Sequence, residues 1–161
     1  MIRIQCVSAA VGLVLLFAPV GKAQPAPGRC SLPPLTDLTL LSTLTLLRYP
    51  AQDIGQKVYE FTLSQGGATY PVNAFISEDA RTLFIMISLG DASQLAPGVA
   101  LKMLEKNSYM GGSYFAINKK NLLSVTHTYP NQCLDSGAVK TAILETVSAV
   151  DGSRDVWQTK H

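Results

Sequence analysis

The chain has 161 residues with 13 Lys or Arg, 11 Asp or Glu and three cysteines. Two of the basic residues, Arg3 and Lys22, lie in a segment without acids at the start of the chain, so residues 24–161 carry 11 positive and 11 negative side chains (13 − 2 = 11). A balanced surface lacks the clustered Lys and Arg that phosphate binding requires, which argues against nucleic acid as a ligand.

Residues 1–23 have the plan of a secretory signal peptide. A charged start, Met1-Ile2-Arg3, precedes an apolar run from Val7 to Val20 and the small-residue site Gly21-Lys22-Ala23. The run is shorter than the ~20 apolar residues of a spanning helix. We predict cleavage after Ala23, export to the periplasm or the medium, and no membrane attachment afterwards; a retained membrane anchor is the alternative.

Cys30 and Cys133 are the two cysteines that remain after cleavage. A cysteine pair in an exported protein favours a disulfide bond. It would close a loop of about a hundred residues and stabilise the fold by about 4.7 kcal/mol in the chain-entropy model. Two free buried thiols are the alternative. Two cysteines without further ligands at useful spacing do not predict a metal site.

Residues 24–34 are rich in Pro and Gly and predict an extended arm before a single domain over residues 35–157. The domain opens with leucines that recur every three residues and favour a helix, although the same segment half-fits a strand. Pro50 ends this helix, because the residue before a proline avoids the α region. These leucines are Leu35, Leu38, Leu41 and Leu44.

Three consecutive strands with period-two alternation follow: Val58–Leu63, Thr69–Ile76 and Thr82–Leu89. Gly66-Gly67 forms the first turn. The third strand is almost entirely apolar, which is typical of a strand covered on both faces. It is therefore predicted to lie at the centre of the sheet or to meet a partner with its second face.

A helix is predicted from about Pro97 to Lys106, then a hairpin of Tyr114–Asn118 and Leu122–Tyr129. The last helix starts at Asp135 or Ser136, and Trp157 is predicted to fold back onto the core. Its apolar stripe is Val139, Ile143, Val147 and Val150. The pattern gives an α+β fold, a five-stranded antiparallel sheet with three helices in the order α-β-β-β-α-β-β-α.

This order resembles the type III secretion chaperone-like fold, which includes the Tir-chaperone group and a bacterial domain labelled a sensory-transduction regulator. The matching segments are the end of the third strand, the middle helix with the joint after it, the second hairpin and the last helix. They read Leu89-Gly90-Asp91, Leu101-Lys-Met-Leu-Glu-Lys-Asn107, Gly112-Ser-Tyr-Phe-Ala-Ile117 with Leu122-Leu-Ser-Val125, and Leu134 with Val139–Val150.

The resemblance implies a non-enzymatic, often dimeric protein that holds other polypeptides. It implies a dimer contact at the middle helix, about Pro97–Lys106, and the neighbouring strand. The export signal and the cysteine pair depart from the cytoplasmic secretion chaperones, so only the fold and a binding role carry over.

His127 is the one histidine within the predicted domain. A catalytic histidine needs a nucleophile and an orienting acid, and no nucleophile motif accompanies it. A partly buried strand histidine is the ordinary interpretation. Gly111-Gly112 is not followed by a phosphate-loop pattern. The residue pattern therefore predicts no catalytic residue, cofactor or metal.

Phe75, Phe84 and Met86 alternate on the side of the sheet opposite the predicted helices. Aromatic and Met side chains suit adaptable contacts with polypeptides, so the three form a candidate surface for a protein partner or a homodimer. Burial under another helix is the alternative. The leading hypothesis is an exported, non-enzymatic protein-binding module; a small periplasmic hydrolase using His127 and a structural envelope component are the alternatives.

Overall fold

The computed structural model describes residues 31–158, so the predicted signal peptide and Cys30 lie outside the described residues. Four α-helices and six strands make up this part of the chain. In order they are α1 (Asp37–Leu46), β1 (Gln52–Asp53), β2 (Tyr59–Gln65), β3 (Ala68–Ile76), β4 (Thr82–Asp91), α2 (Val99–Asn107), β5 (Ser113–Ile117), β6 (Leu122–Pro130), α3 (Ser136–Asp151) and α4 (Arg154–Trp157). A 3₁₀ turn, Ala92–Gln94, follows β4.

The α+β class and the antiparallel pairing are confirmed. The strands form one sheet in the order β1-β2-β3-β4-β6-β5, and every neighbouring pair is antiparallel. The predicted count of five strands is wrong, because β1 pairs with Tyr59 and Glu60 of β2. Two residues are too few to show a period in the sequence. The predicted helix order is also incomplete, since the short α4 follows α3.

Gly66 and Gly67 form the two-residue turn between β2 and β3, and the backbone of this turn explains why both positions are glycine. Both glycines have positive φ, 56° and 76°. This backbone conformation suits the right-handed twist of the two strands and costs glycine little.

α1 begins with a capping box in which the side chains of Thr36 and Thr39 each accept a hydrogen bond from the other's backbone N–H. Its fully buried residues are Leu40 and Leu44, whereas Leu38 is 76% exposed. The predicted every-third stripe is therefore wrong in part. The buried positions lie four residues apart, the spacing of side chains on one helix face.

The core lies between one face of the sheet and α3. On β4, Leu83, Ile85 and Ile87 have no exposed surface. The α3 stripe is confirmed, since Val139, Ile143, Val147 and Val150 are also fully buried. β4 is central, as predicted, between β3 and β6. Its predicted coverage on both faces is wrong within this chain, because the alternating residues Phe84 and Met86 are only half-buried.

The C-terminal segment folds back, as predicted. The Trp157 indole donates a hydrogen bond to the Val150 carbonyl, 3.1 Å away, and its ring packs against the core. Arg154 binds the β2–β3 turn by donating to the Gln65 and Gly66 carbonyls, and forms an ion pair with Asp151 at 2.6 Å. α4 thereby holds the first hairpin against the end of α3.

Candidate binding surfaces and the His127 groove

Phe75, Phe84 and Met86 lie side by side on the face of the sheet opposite the buried residues of β4, here called the outer face. Phe75 and Phe84 are paired across β3 and β4, and their rings stack with centroids 4.9 Å apart and planes 3° from parallel. All three side chains are half-buried in this chain. The structure therefore brings the predicted surface residues together and leaves each of them accessible.

The residues paired directly with Phe84 and Met86 across the strands carry no charge, whereas Glu60 of β2, the partner of Asn73, lies one strand further out on the same face. Met86 is paired with Asn73 of β3 and Thr126 of β6, and Phe84 is paired with Thr128 of β6. Asn73 is 5% exposed, and its buried Oδ1 accepts no hydrogen bond from the described residues. An apolar centre with polar neighbours and one carboxylate further out resembles a protein interface, which has an apolar centre and a polar rim.

α2 presents a second exposed apolar surface. Val99 and Met103 face the core, whereas Leu101 is 62% exposed and Leu104 is 68% exposed. Tyr109, just beyond the helix, is 85% exposed. Leu101 and Leu104 belong to the helix that the resemblance assigned to a dimer contact.

An open groove of about 690 Å³ lies between α3 and the segment that joins α2 to β5. Its floor is formed by Ser113 and His127, and its walls carry both apolar and charged residues. The wall residues include Tyr109, Met110, Leu144, Glu145 and Lys106.

His127 lies at the bottom of this groove with 8% of its surface exposed. Its Nδ1 lies 3.0 Å from the Ser113 Oγ, and its ring stacks on Tyr129 with centroids 4.0 Å apart. The Tyr129 hydroxyl donates to Glu145 at 2.6 Å. Burial lowers the pKa of His127, and the Glu145 carboxylate opposes this shift in part. Burial, with the hydrogen bond to Glu145, raises the pKa of Tyr129.

Little of the Ser113 or His127 side chain is exposed at the floor of the groove. Ser113 is 3% exposed, although it belongs to the lining of the groove. The other ring nitrogen, Nε2, lies against Gly112, where an added Cβ would be 2.2 Å from it. A nucleophile and its base must both reach the reacting atoms. His127 is therefore packed between Gly112 and Tyr129, with little of its ring accessible from the groove.

Within residues 31–158, the His, Cys, Asp and Glu side chains do not gather in groups of three or more that could hold a metal ion. No helix in the same range has the length and apolar character needed to cross a membrane. Cys133 lies in the turn after β6 with a φ of 63°, while its predicted partner, Cys30, precedes the described range. The disulfide bond therefore stays a prediction.

No family model matches the chain, and no curated protein matches its sequence. Solved structures do match. The chain has the type III secretion chaperone-like fold that its sequence pattern predicted. It is similar to a chain of the ExsC–ExsE complex, with a TM-score of 0.56, 8% identity, and 75% of this chain and 92% of that chain covered.

Two further structures show the same likeness. YbjN from E. coli has a TM-score of 0.54 at 10% identity, with 78% of this chain and 95% of that chain covered. A chain of the ExoU–SpcU complex from the type III secretion system of Pseudomonas aeruginosa has a TM-score of 0.53 at 14% identity, with 74% and 98% covered. At these identities, the likeness is one of fold.

Sequence reasoning missed the partners of His127. Ser113 lies on β5 and Glu145 on α3, and only the fold brings them to the same groove. A nearby signal was present in the sequence: Gly112 directly precedes Ser113. Its missing side chain leaves room for the imidazole ring.

Proposed function

We propose that this chain is an exported, non-enzymatic binding module that holds a segment of another polypeptide against the outer face of its sheet. The fold supports a binding role, since one structure with this fold is described as a chaperone–effector complex, HopA1–SchA. The buried positions of Ser113 and His127 support the non-enzymatic part.

The observation that carries the proposal is the accessible trio of Phe75, Phe84 and Met86. The three side chains are adjacent, apolar and half-buried on central strands, where a single-domain protein normally covers such residues. Their direct cross-strand neighbours, Asn73, Thr126 and Thr128, are polar and uncharged. This suits a polypeptide more than a charged ligand, because a polypeptide offers both apolar side chains and backbone hydrogen bonds.

Changing Phe84 and Met86 together to Ser is expected to weaken polypeptide binding at least tenfold. Loss of central apolar contacts of this kind costs more than about 1 kcal/mol each at an interface. The measurement is the fluorescence anisotropy of labelled, reduced and carboxymethylated α-lactalbumin, which stays unfolded, titrated with the mature protein. Leu38→Ser with Leu46→Ser is the matched control, because these leucines are 76% and 73% exposed on α1.

The molar mass of the same samples, measured by light scattering, shows whether a second copy or another polypeptide binds the outer face. A halved molar mass in the serine variant would show that a second copy, rather than another polypeptide, covers the outer face. Unchanged binding and unchanged mass in a variant that remains folded would contradict the proposed surface.

A homodimer through α2 is compatible with this assignment. The resemblance implies that contact, and the exposed Leu101 and Leu104 support it. It leaves the outer-face trio available to a partner, because Phe75, Phe84 and Met86 lie on β3 and β4 rather than on α2.

Export and the disulfide bond form the second part of the proposal. The expected secreted product begins at Gln24 and is 2 Da lighter than its reduced form, the two hydrogens that a Cys30–Cys133 bond removes (about 2 Da per disulfide bond). Mass spectrometry of the secreted protein, with and without reduction, measures both features. A product that still contains residues 1–23, or one whose mass does not change on reduction, would contradict this part.

A further inference from the structure

β5 is an edge strand within residues 31–158, because it pairs with β6 on one side and no described strand lies on the other. The free side of an edge strand exposes backbone N–H and C=O groups that can pair with another chain. The outward-facing groups belong to alternate residues. On β5 these are Ser113, Phe115 and Ile117, since the intervening residues turn their backbone groups toward β6.

The side chain of Asn107 occupies the middle of this edge. The backbone N–H of Phe115 donates to Asn107 Oδ1 at 2.7 Å, and Asn107 Nδ2 donates to the Phe115 carbonyl at 3.3 Å. The amide thus makes the same two hydrogen bonds that a residue of a neighbouring strand would make. The Ser113 N–H is also bonded, to the Met110 carbonyl at 3.0 Å.

We propose that Asn107 is a built-in block on the β5 edge, which prevents this strand from pairing with the β5 strand of a second copy. The geometry of the edge indicates that its pairing partner would be the β5 strand of a second copy. Two identical five-residue strands can pair antiparallel about a two-fold axis, so that each copy satisfies the other. The edge also carries exposed apolar side chains, with Tyr114 37% exposed and Ile117 50% exposed, which such pairing would cover.

The position of Asn107 explains how one side chain can cover the β5 edge. It is the last residue of α2, and its side chain is partly buried between that helix and β5. A side chain held there covers the edge without adding a strand. This assignment is independent of the outer-face proposal, which concerns β3 and β4.

Asn107→Ala is expected to expose the edge. At low protein concentration, where the variant is not associated, the exchange of the Phe115 amide hydrogen should become at least tenfold faster. At higher protein concentration, the molar mass should rise above that of the unchanged protein. Amide exchange by NMR and multi-angle light scattering on the mature protein are the measurements. Ser108→Ala is the matched control, because the Ser108 hydroxyl bonds only the Glu105 carbonyl at the same helix end.

Ile117→Pro, added to Asn107→Ala, should return the molar mass to that of the unchanged protein. Proline removes an outward N–H without breaking the ladder to β6. If Asn107→Ala does not fold, Asn107→Ser replaces it, because the shorter side chain has one hydroxyl and cannot make both hydrogen bonds to Phe115. A folded variant of either kind with the molar mass of the unchanged protein at all concentrations would overturn the proposal.

Discussion

Replacing Asn131 with Ala is expected to lower the free energy of unfolding by about 3 kcal/mol. The side chain is 1% exposed and makes three hydrogen bonds. Its Oδ1 accepts from the Leu35 N–H at 2.9 Å, and its Nδ2 donates to the carbonyls of Leu35 at 2.8 Å and Ala80 at 2.9 Å.

The expected loss is large because alanine removes one partner of each bond and leaves the other behind. The Leu35 backbone groups would stay buried without partners, and each such group costs about 1–3 kcal/mol. The contact also joins the segment before α1 to the β3–β4 turn and to the end of β6. Its loss should therefore loosen the start of the domain first.

Chemical denaturation monitored by circular dichroism measures the effect. Asn118→Ala is the control, because Asn118 also accepts backbone hydrogen bonds, from Lys120 and Leu122, but in an exposed turn. We expect its cost to be about 1 kcal/mol or less. Equal costs for the two variants would show that burial of the Asn131 contacts does not matter.

The sequence predicts the parts of this fold that rest on local periodicity. The strands β2, β3, β4 and β6 show period-two or continuous apolar patterns, and the α3 stripe matches a helix face. Elements without a period were missed. β1 has two residues and is held by its pairing with β2. α4 has four residues and is held through Arg154 by the β2–β3 turn, which is distant in sequence. The periodicity of a sequence does not show the tertiary contacts that hold elements as short as these.

The candidate surfaces also include features that local periodicity predicts and features that only the packed chain shows. Phe75, Phe84 and Met86 could be placed on one face from alternation alone, although the stacking of the two rings depends on the register of β3 and β4. The role of Asn107 could not be derived from its residue type. Its two hydrogen bonds require α2 to end beside β5, which is a property of the packed chain.

Gly112→Ala is expected to lower the free energy of unfolding by about 2 kcal/mol, the typical cost of adding a methyl group to a filled site. An ideal Cβ at this position would lie 2.2 Å from His127 Nε2 and 2.7 Å from Cε1. The backbone of Gly112 does not have the positive φ that disfavours alanine, so the cost should come from contact with the imidazole ring.

Gly111→Ala is the control that measures the cost of replacing a glycine without any contact with the His127 imidazole. Gly111 has a φ of 63°, and nothing lies within 4 Å of its added Cβ. Its substitution should cost about 1 kcal/mol, through backbone strain alone. Thermal or denaturant unfolding of the two single variants gives the comparison.

A double-mutant cycle then assigns the excess cost to His127. In a chain that already carries His127→Ala, Gly112→Ala should cost at least about 1 kcal/mol less than it does alone, because the space beside Gly112 is then empty. Additive costs would contradict the proposed contact. Such a result would mean that the Gly111-Gly112 pair serves the α2–β5 connection itself, and that the imidazole of His127 does not determine why glycine precedes Ser113.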